Sequence, residues 1–283
     1  MQHIEFFHKE HFENNYYRVK PLPALEAFID FFWETKFDEL LQQHPKGFSD
    51  ALFPNIGYTY LINLGTPFIM QVQDKKFSMK TDGFLPRNNA IECYHCQGNR
   101  LFGIKFKISP VIFKTKVNFA EYREHIYPLS YLMEQDVIDN IKKVSSFGER
   151  VQLLNGYFNS IIQAYHGSWE PIRIVSAILQ HCDKNNDFET SVEDFAKQYN
   201  ISPRTLHRYF ESTTSLSTKK ALQVLRIRKA VQQLANAPSD FRYKDYGYYD
   251  YSHFYKHLKE FLKKDTITNL QPHLKLLESI RRS

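Results

Sequence analysis

The chain has 283 residues, 42% of them hydrophobic, with 24 Phe and 18 Tyr; this is ample for packed cores, argues against disorder and makes two domains the default expectation. The net charge is +6, no run approaches the roughly 18 apolar residues of a membrane span, and the opening "MQHIEFFHKEHFENN" has no apolar stretch of the secretory kind. Three cysteines, Cys93, Cys96 and Cys182, make no disulfide framework and fit a reducing cytoplasm.

In chain order, "PLPALEAFIDFFWETK" (21–36) is expected to be a helix. "GYTYLINLG" (57–65), "FIMQV" (68–72), "FSMK" (77–80) and "RLFGIKFKI" (100–108) read as short strands separated by turn residues. In the last of these Phe102, Ile104, Phe106 and Ile108 alternate with Lys105 and Lys107, as in a half-buried strand. Such a series suggests a small β-sandwich or barrel. Its aromatics Phe53, Tyr58, Tyr60, Phe68, Phe84 and Tyr94 either line an effector pocket or fill the core.

"ECYHCQG" (92–98) holds a C-x-x-C with His95 between the two cysteines. A structural zinc needs four ligands, and a strand would turn Cys93 and Cys96 to opposite faces. Two small buried thiols without metal are therefore expected. Metal-dependent enzymes of the small-barrel type need several neighbouring histidines, and His95 is the one histidine between Gly57 and Ile108. No phosphate-cradling glycine loop and no nucleophile motif is present, so no catalytic residue, metal or cofactor is expected.

Next, "SSFGERVQLLNGYFNSIIQAYH" (145–166) opens with a capping box from Ser146 to Glu149. Phe147, Val151, Leu154, Phe158, Ile161 and Tyr165 follow at alternating steps of four and three, the spacing of a helix packed along a partner. That partner is either a second chain, giving a homodimer through residues 146–165, or the domain's own sheet and helices.

Charge divides the chain. Residues 1–169 hold 18 Lys and Arg against 18 Asp and Glu, whereas residues 170–283 hold 19 against 13. A basic C-terminal part suits a polyanion. Within it, "TSVEDFAKQY" (190–199) reads as a helix capped by Ser191, and "SPRTLHRYF" (202–210) as a second, capped by Ser202 with Pro203 at its first position. Leu206, Tyr209 and Phe210 face inward on the second helix, leaving Arg204, Thr205, His207 and Arg208 outside. Two short helices around a tight turn make a helix-turn-helix.

The pattern recurs. A shift of 48 residues lays "SPRTLHRYF" on "DYSHFYKHL" (250–258), so that Ser202 meets Asp250, Leu206 meets Phe254, Phe210 meets Leu258 and Arg208 meets Lys256. Gly247 stands where the second turn needs a positive φ. Between the copies, "STKKALQVLRIRKAVQQLANAP" reads as one long amphipathic helix.

These ordered motifs resemble the DNA-binding domain of AraC/XylS-type transcription regulators: "SVEDFAKQYNISPRTLHRYF" is similar to that family's first unit, "LRIRKAVQQL" to its connecting helix and "GYYDYSHFYKHLKEF" to its second unit. The strand-rich half weakly resembles the cupin-like sensor that precedes this domain in many members. The resemblance implies an α+β chain of two domains. Residues 1–165 would form a small β-sandwich or barrel (cupin-like) with flanking helices, serving as sensor and dimerisation domain. Residues 166–283 would form an all-α double helix-turn-helix.

The second helix of each unit is then expected in successive major-groove segments of double-stranded DNA. Arg204, Thr205, His207 and Arg208 would read one segment and Ser252, His253, Tyr255 and Lys256 the next; Ser191, Ser202, Lys219, Lys220 and Lys259 would meet phosphates. A small-molecule effector and RNA polymerase are further partners of such a regulator, which has no membrane contact and works in the cytoplasm.

Departures from the family pattern are local. Ser215 and Thr218 stand where Gly and Pro are usual after the first reading helix, and Lys263 and Thr266 after the second. Ahead of Gly247, Arg242 and Tyr243 replace an apolar and a small residue, which should displace or reorder the second unit's supporting helix. Two other readings remain: a DNA-repair alkyl acceptor using a Cys93/Cys96 zinc site, and an interaction protein whose DNA reading has decayed.

Overall fold

A computed structural model describes residues 9–113 and 125–261. The N-terminal half comprises α1 (Lys9–Asn14), β1 (Tyr16–Val19), β2 (Ile29–Lys36), α2 (Asp38–Gln43), β3 (Phe48–Leu52), β4 (Tyr58–Asn63), β5 (Phe68–Val72), β6 (Lys75–Met79), β7 (Gly83–Pro86), β8 (Ile91–His95), β9 (Arg100–Phe106), β10 (Tyr127–Pro128), α3 (Gln135–Lys143) and α4 (Phe147–Gln163). Its strands form a six-stranded sheet, β1-β2-β9-β4-β7-β10, and a four-stranded sheet, β3-β8-β5-β6, with every pairing antiparallel.

Two apolar layers hold this half together. Between the sheets lie Phe37, Leu61, Phe68, Met70, Leu85, Cys93 and Leu101. On the other face of the six-stranded sheet, Tyr58, Tyr60, Ile104 and Phe106 meet α3 and α4. Central strand β4 is thus covered on both sides, and all six of its residues are buried.

Segment 21–36 departs from its expected helix. Only Pro23–Leu25 turns, as a 3-10 element, and Ile29–Lys36 is strand β2. Paired on both sides, by β1 and β9, and packed on both faces, β2 buries Glu34 and half-buries Asp30 along with its apolar residues, so its burial shows no alternation. Trp33 lies against Gly103 of β9, where a Cβ would sit 2.3 Å from the indole, so only glycine admits the ring.

The capping box at Ser146 forms: the Glu149 amide donates to the Ser146 hydroxyl, and the Glu149 carboxylate accepts from the Ser146 backbone N–H. The Phe147–Tyr165 stripe turns into its own chain. Leu154 is fully buried, Val151 and Phe158 nearly so, and Phe158 meets the Tyr60 and Phe106 rings edge-on or tilted. Arg150 fixes the helix from below, donating to Glu34 of β2 at 2.9 Å, while Arg100 donates to the same carboxylate at 2.8 Å. The stripe is therefore not a surface for a second chain; a homodimer through residues 146–165 would have to use the opposite face, where Gln152, Leu153 and Ser160 are exposed.

The C-terminal half is helical: α5 (Glu170–Asn185), α6 (Val192–Gln198), α7 (Pro203–Thr214), α8 (Thr218–Asn236) and α9 (Tyr251–Phe261). Ile174, Val175, Phe195, Leu206, Phe210, Val224, Ile227, Val231, Phe254 and Leu258 form its core. Among the described residues no helix is long and apolar enough to cross a membrane.

Candidate nucleic-acid interface

Local chemistry builds the first unit. The Ser191 hydroxyl accepts from the Asp194 amide at 3.0 Å and starts α6. Asn200 turns the chain with φ +53°, a left-handed value that Asn tolerates better than most residues. The Ser202 hydroxyl then accepts from the Thr205 amide at 3.1 Å, and Pro203 opens α7. With Leu206 and Phe210 fully buried, α7 presents Arg204, His207 and Arg208 to solvent. Thr205 is half-buried, its hydroxyl 3.0 Å from that of Ser202. His207 lies 3.6 Å from Glu211, one turn along. From the inner side the Tyr209 hydroxyl donates to Glu170 of α5 at 2.8 Å, which ties the reading helix to the start of the domain.

The first unit ends on Ser215 with φ +58°, in the left-handed region that glycine favours. Its hydroxyl is buried without a hydrogen-bond partner among the described residues. Helix α8 follows, and its 19 residues span about 28 Å at 1.5 Å per residue. That length is of the order of one DNA turn, about 34 Å.

The second unit is built differently. No α-helix precedes its turn; Tyr243–Tyr246 form a single 3-10 turn, with Tyr243 partly buried against the core. Arg242, just before this turn, is exposed. Gly247 takes φ +67°, and the Arg226 side chain of α8 donates to its carbonyl. The same guanidinium lies 3.8 Å over the Tyr248 ring. The Asp250 carboxylate accepts from the His253 amide at 2.7 Å and caps α9.

On α9, Ser252 and Lys256 are exposed and His253 and Tyr255 half-buried. Tyr255 stacks on the buried Tyr251, and His253 packs on Tyr248 and His257. Burial lowers the His257 pKa, with His253 and Arg226 adding to the effect. Of the expected phosphate contacts, Lys219 and Lys259 are exposed, the latter 4.7 Å over the Tyr255 ring. Lys220 differs: it pairs with Glu260 at 3.0 Å and lies 4.2 Å over the Phe261 ring, so it joins α8 to α9. Lys263 and Thr266 lie outside the described residues.

A family described as "Helix-turn-helix domain" matches residues 195–264, which run from inside α6 through both reading helices. Residues 195–264 thus carry a helix-turn-helix domain. ToxT from Vibrio cholerae is similar over 88% of this chain and 95% of its own, at 9% identity and a TM-score of 0.43. A form of ToxT with an unsaturated fatty acid bound is 10% identical over 88% of this chain and 90% of its own, with a TM-score of 0.43. The AraC-like transcriptional activator CuxR is 10% identical over 73% of each chain, with a TM-score of 0.24. The chain matches no curated protein.

Cys93 points into the core from β8, while Cys96, expected to be buried, lies beyond the strand end, exposed, its thiol 3.2 Å from the Pro67 carbonyl. The two sulfurs thus face apart. Cys182 is buried in α5, and burial pushes its thiol up to about 12. No group of three metal-ligating side chains exists among the described residues.

Among the described residues, three spaces flank the six-stranded sheet, one of them a pocket of about 420 Å³ lined by Tyr60, Phe113, Tyr157 and Phe158. Between the sheets is a cavity of about 40 Å³ lined by Phe31, Trp33, Phe37, Asp50, Arg87 and His95. Of the aromatics named from the sequence as pocket or core, Tyr60 lines the pocket of about 420 Å³, and Tyr58 and Phe84 lie in the core on that face. Between the halves runs a groove of about 680 Å³ lined by Asp30, Lys105, Trp169, Arg173, Arg228 and Lys229.

A contact that sequence reasoning missed joins the halves. Phe53 and Ile56, from the segment between β3 and β4, are buried in the helical core. The Ser109 amide donates to the carbonyl of Thr213, near the end of α7. Nothing local marks Phe53 for this role, because its partners are more than 100 residues away.

Proposed function

We propose that the chain is a DNA-binding transcription regulator of the AraC type, in which α7 and α9 enter successive major-groove segments on one face of duplex DNA, with α7 carrying most of the sequence reading. The observation behind this is the outer face of α7. Arg204 is exposed and makes no hydrogen bond or ion pair among the described residues, and Arg208 is exposed one turn further on. Each can fork to guanine O6 and N7. His207 and Thr205 stand beside them as a donor to an acceptor edge and a thymine-methyl or phosphate contact. In the second unit Ser252 and Lys256 are placed to reach the groove, with His253 and Tyr255 partly committed to packing. Ser191, Ser202, Lys219 and Lys259 are the phosphate contacts; Lys220 is set aside because Glu260 engages it.

The division at residues 165 and 166 places α5 with the DNA-binding domain, where Ile174, Val175 and Ile178 pack. An effector would find room in the groove between the halves. Small-molecule pockets run to roughly 300–1,000 Å³, and a space of about 40 Å³ between the sheets takes little more than water. RNA polymerase is the further partner of such a regulator, which works in the cytoplasm beside its DNA.

Selection of duplexes from a random pool by the full-length protein tests the reading. The expected outcome is one strongly specified half-site and a weaker one about one turn away. A pool without enrichment rejects it.

A further inference from the structure

We propose that Tyr249 is a DNA-backbone contact of the second unit, its phenol donating to a phosphate at the edge of the groove segment that α9 enters. The proposal rests on the double helix-turn-helix reading above.

Tyr249 is 86% exposed, beyond any other exposed large hydrophobic residue among the described ones; the next, Tyr131, is 63% exposed. Its surroundings make that unusual. Tyr243, Tyr246, Tyr248, Tyr251 and Tyr255 all pack into or against the helical core. The fold does not force this position outward either. Through the 48-residue repeat Tyr249 corresponds to Ile201, which is partly buried against the same core. One unit tucks the residue in, and the other turns an aromatic ring out into water.

Its place on the reading helix gives that exposure a use. Tyr249 immediately precedes Asp250, the residue that caps α9. Steps of three, four and three residues lead from Tyr249 to Ser252, Lys256 and Lys259, all exposed. Tyr249 thus stands exposed two residues ahead of the first helical residue, Tyr251, at the N-terminal end of α9, where phosphate contacts of such helices gather. A phenol is a neutral donor with an apolar ring that can lie along deoxyribose. It fixes position without releasing a counterion. A second unit supported by one 3-10 turn gains most from a contact placed ahead of its reading helix.

The test is DNA binding by the full-length protein, measured by fluorescence anisotropy at several salt concentrations on its selected duplex and on a scrambled one. Tyr249→Phe removes only the hydroxyl from an exposed ring, and its thermal unfolding should match the wild type. Binding should weaken about three- to tenfold on both duplexes, the loss of one hydrogen bond. The salt dependence should stay unchanged, whereas Lys256→Ala should lower its slope by about 1. Tyr249→Ala should lose at least as much as Tyr249→Phe. Wild-type affinity in Tyr249→Phe overturns the proposal, as does a loss confined to the selected duplex, which would make the tyrosine a base reader. If the wild type binds neither duplex, the regulator reading fails first and takes the proposal with it.

Discussion

Arg87 of the sensor half and Arg228 of α8 donate to the same carbonyl, that of Phe53, at 3.1 and 3.5 Å. Arg228 also reaches the Pro54 carbonyl at 3.2 Å, and the Asn55 amide donates back to the Arg87 carbonyl at 2.6 Å. One segment is thus held from the wall of the cavity between the sheets and from α8, which joins the two helix-turn-helix units. Phe53 anchors it by packing in the helical core.

This contact predicts how the protein unfolds. With the wild type, calorimetry should show the halves melting together or nearly so. Arg228→Ala should separate the transitions, because it removes the hydrogen bonds from α8 while leaving both cores whole. Phe53→Ala should go further, by about 3–5 kcal/mol, since it also leaves a cavity in the helical core. Unchanged melting in Arg228→Ala would show that the apolar contact alone couples the halves.

The difference between the two units predicts an unequal footprint. Arg204→Ala and Arg208→Ala should each cost about 1–3 kcal/mol on the selected duplex and relax one base position. Lys256→Ala should cost less and act on all sequences alike, because α9 stands on a four-residue 3-10 turn. Footprinting should show strong protection in one groove segment and weaker protection one turn away. Equal protection would mean that Arg226, through its contacts with Gly247 and Tyr248, holds α9 as firmly as α6 holds α7.

Ser215 predicts a gain in stability. A serine at φ +58° costs about 1 kcal/mol relative to glycine, and its buried hydroxyl lacks a partner among the described residues. Ser215→Gly should raise the melting temperature of the DNA-binding half by a few degrees. Ser215→Ala removes the hydroxyl but keeps the backbone cost, so it should gain less. A lower melting temperature in Ser215→Gly would show that the hydroxyl has a bound partner.

His257 predicts sensitivity to acid. Burial lowers its pKa, helped by His253, Arg226 and Lys220 and opposed by Glu260. A histidine depressed in the folded state stabilises the fold fully above its unfolded pKa, near 6.5. That contribution is lost as pH falls from there through the folded value. The DNA-binding half should therefore weaken below about pH 6.5, and His257→Gln should reduce the effect. The same pH profile in wild type and His257→Gln would move the effect to another group.

Features set by neighbouring residues were legible in the sequence. Ser146, Ser191 and Ser202 each cap a helix with an acceptor and a period that lie within four residues, and Gly247 carries its positive φ alone. Tyr243 announced the reordered turn by its size. What failed needed distant partners. Strand β2 was taken for a helix because what marks it as a strand is distant: pairing with β1 and β9, and the cations Lys105, Arg100 and Arg150 that meet its Asp30 and Glu34. The spacing from Phe147 to Tyr165 fitted a second chain or a sheet equally well; only the Tyr60 and Phe106 rings decide between them.

The two leucines of α4 turn that last distinction into an experiment. Leu154 is fully buried against the sheet, and its neighbour Leu153 is 42% exposed. Leu154→Glu places a carboxylate in an apolar layer, at a cost of several kcal/mol. The sensor half should lose its β-sheet circular dichroism while α5–α9 keep their helical signal. Leu153→Glu adds a charge already in water and should change stability by no more than about 0.5 kcal/mol. The same variant reports on assembly, since the outward face of α4 is the one left for a partner copy. If sedimentation shows a wild-type dimer and a folded Leu153→Glu monomer, that face pairs the chains. If Leu154→Glu stays folded, the intrachain packing of the stripe is wrong.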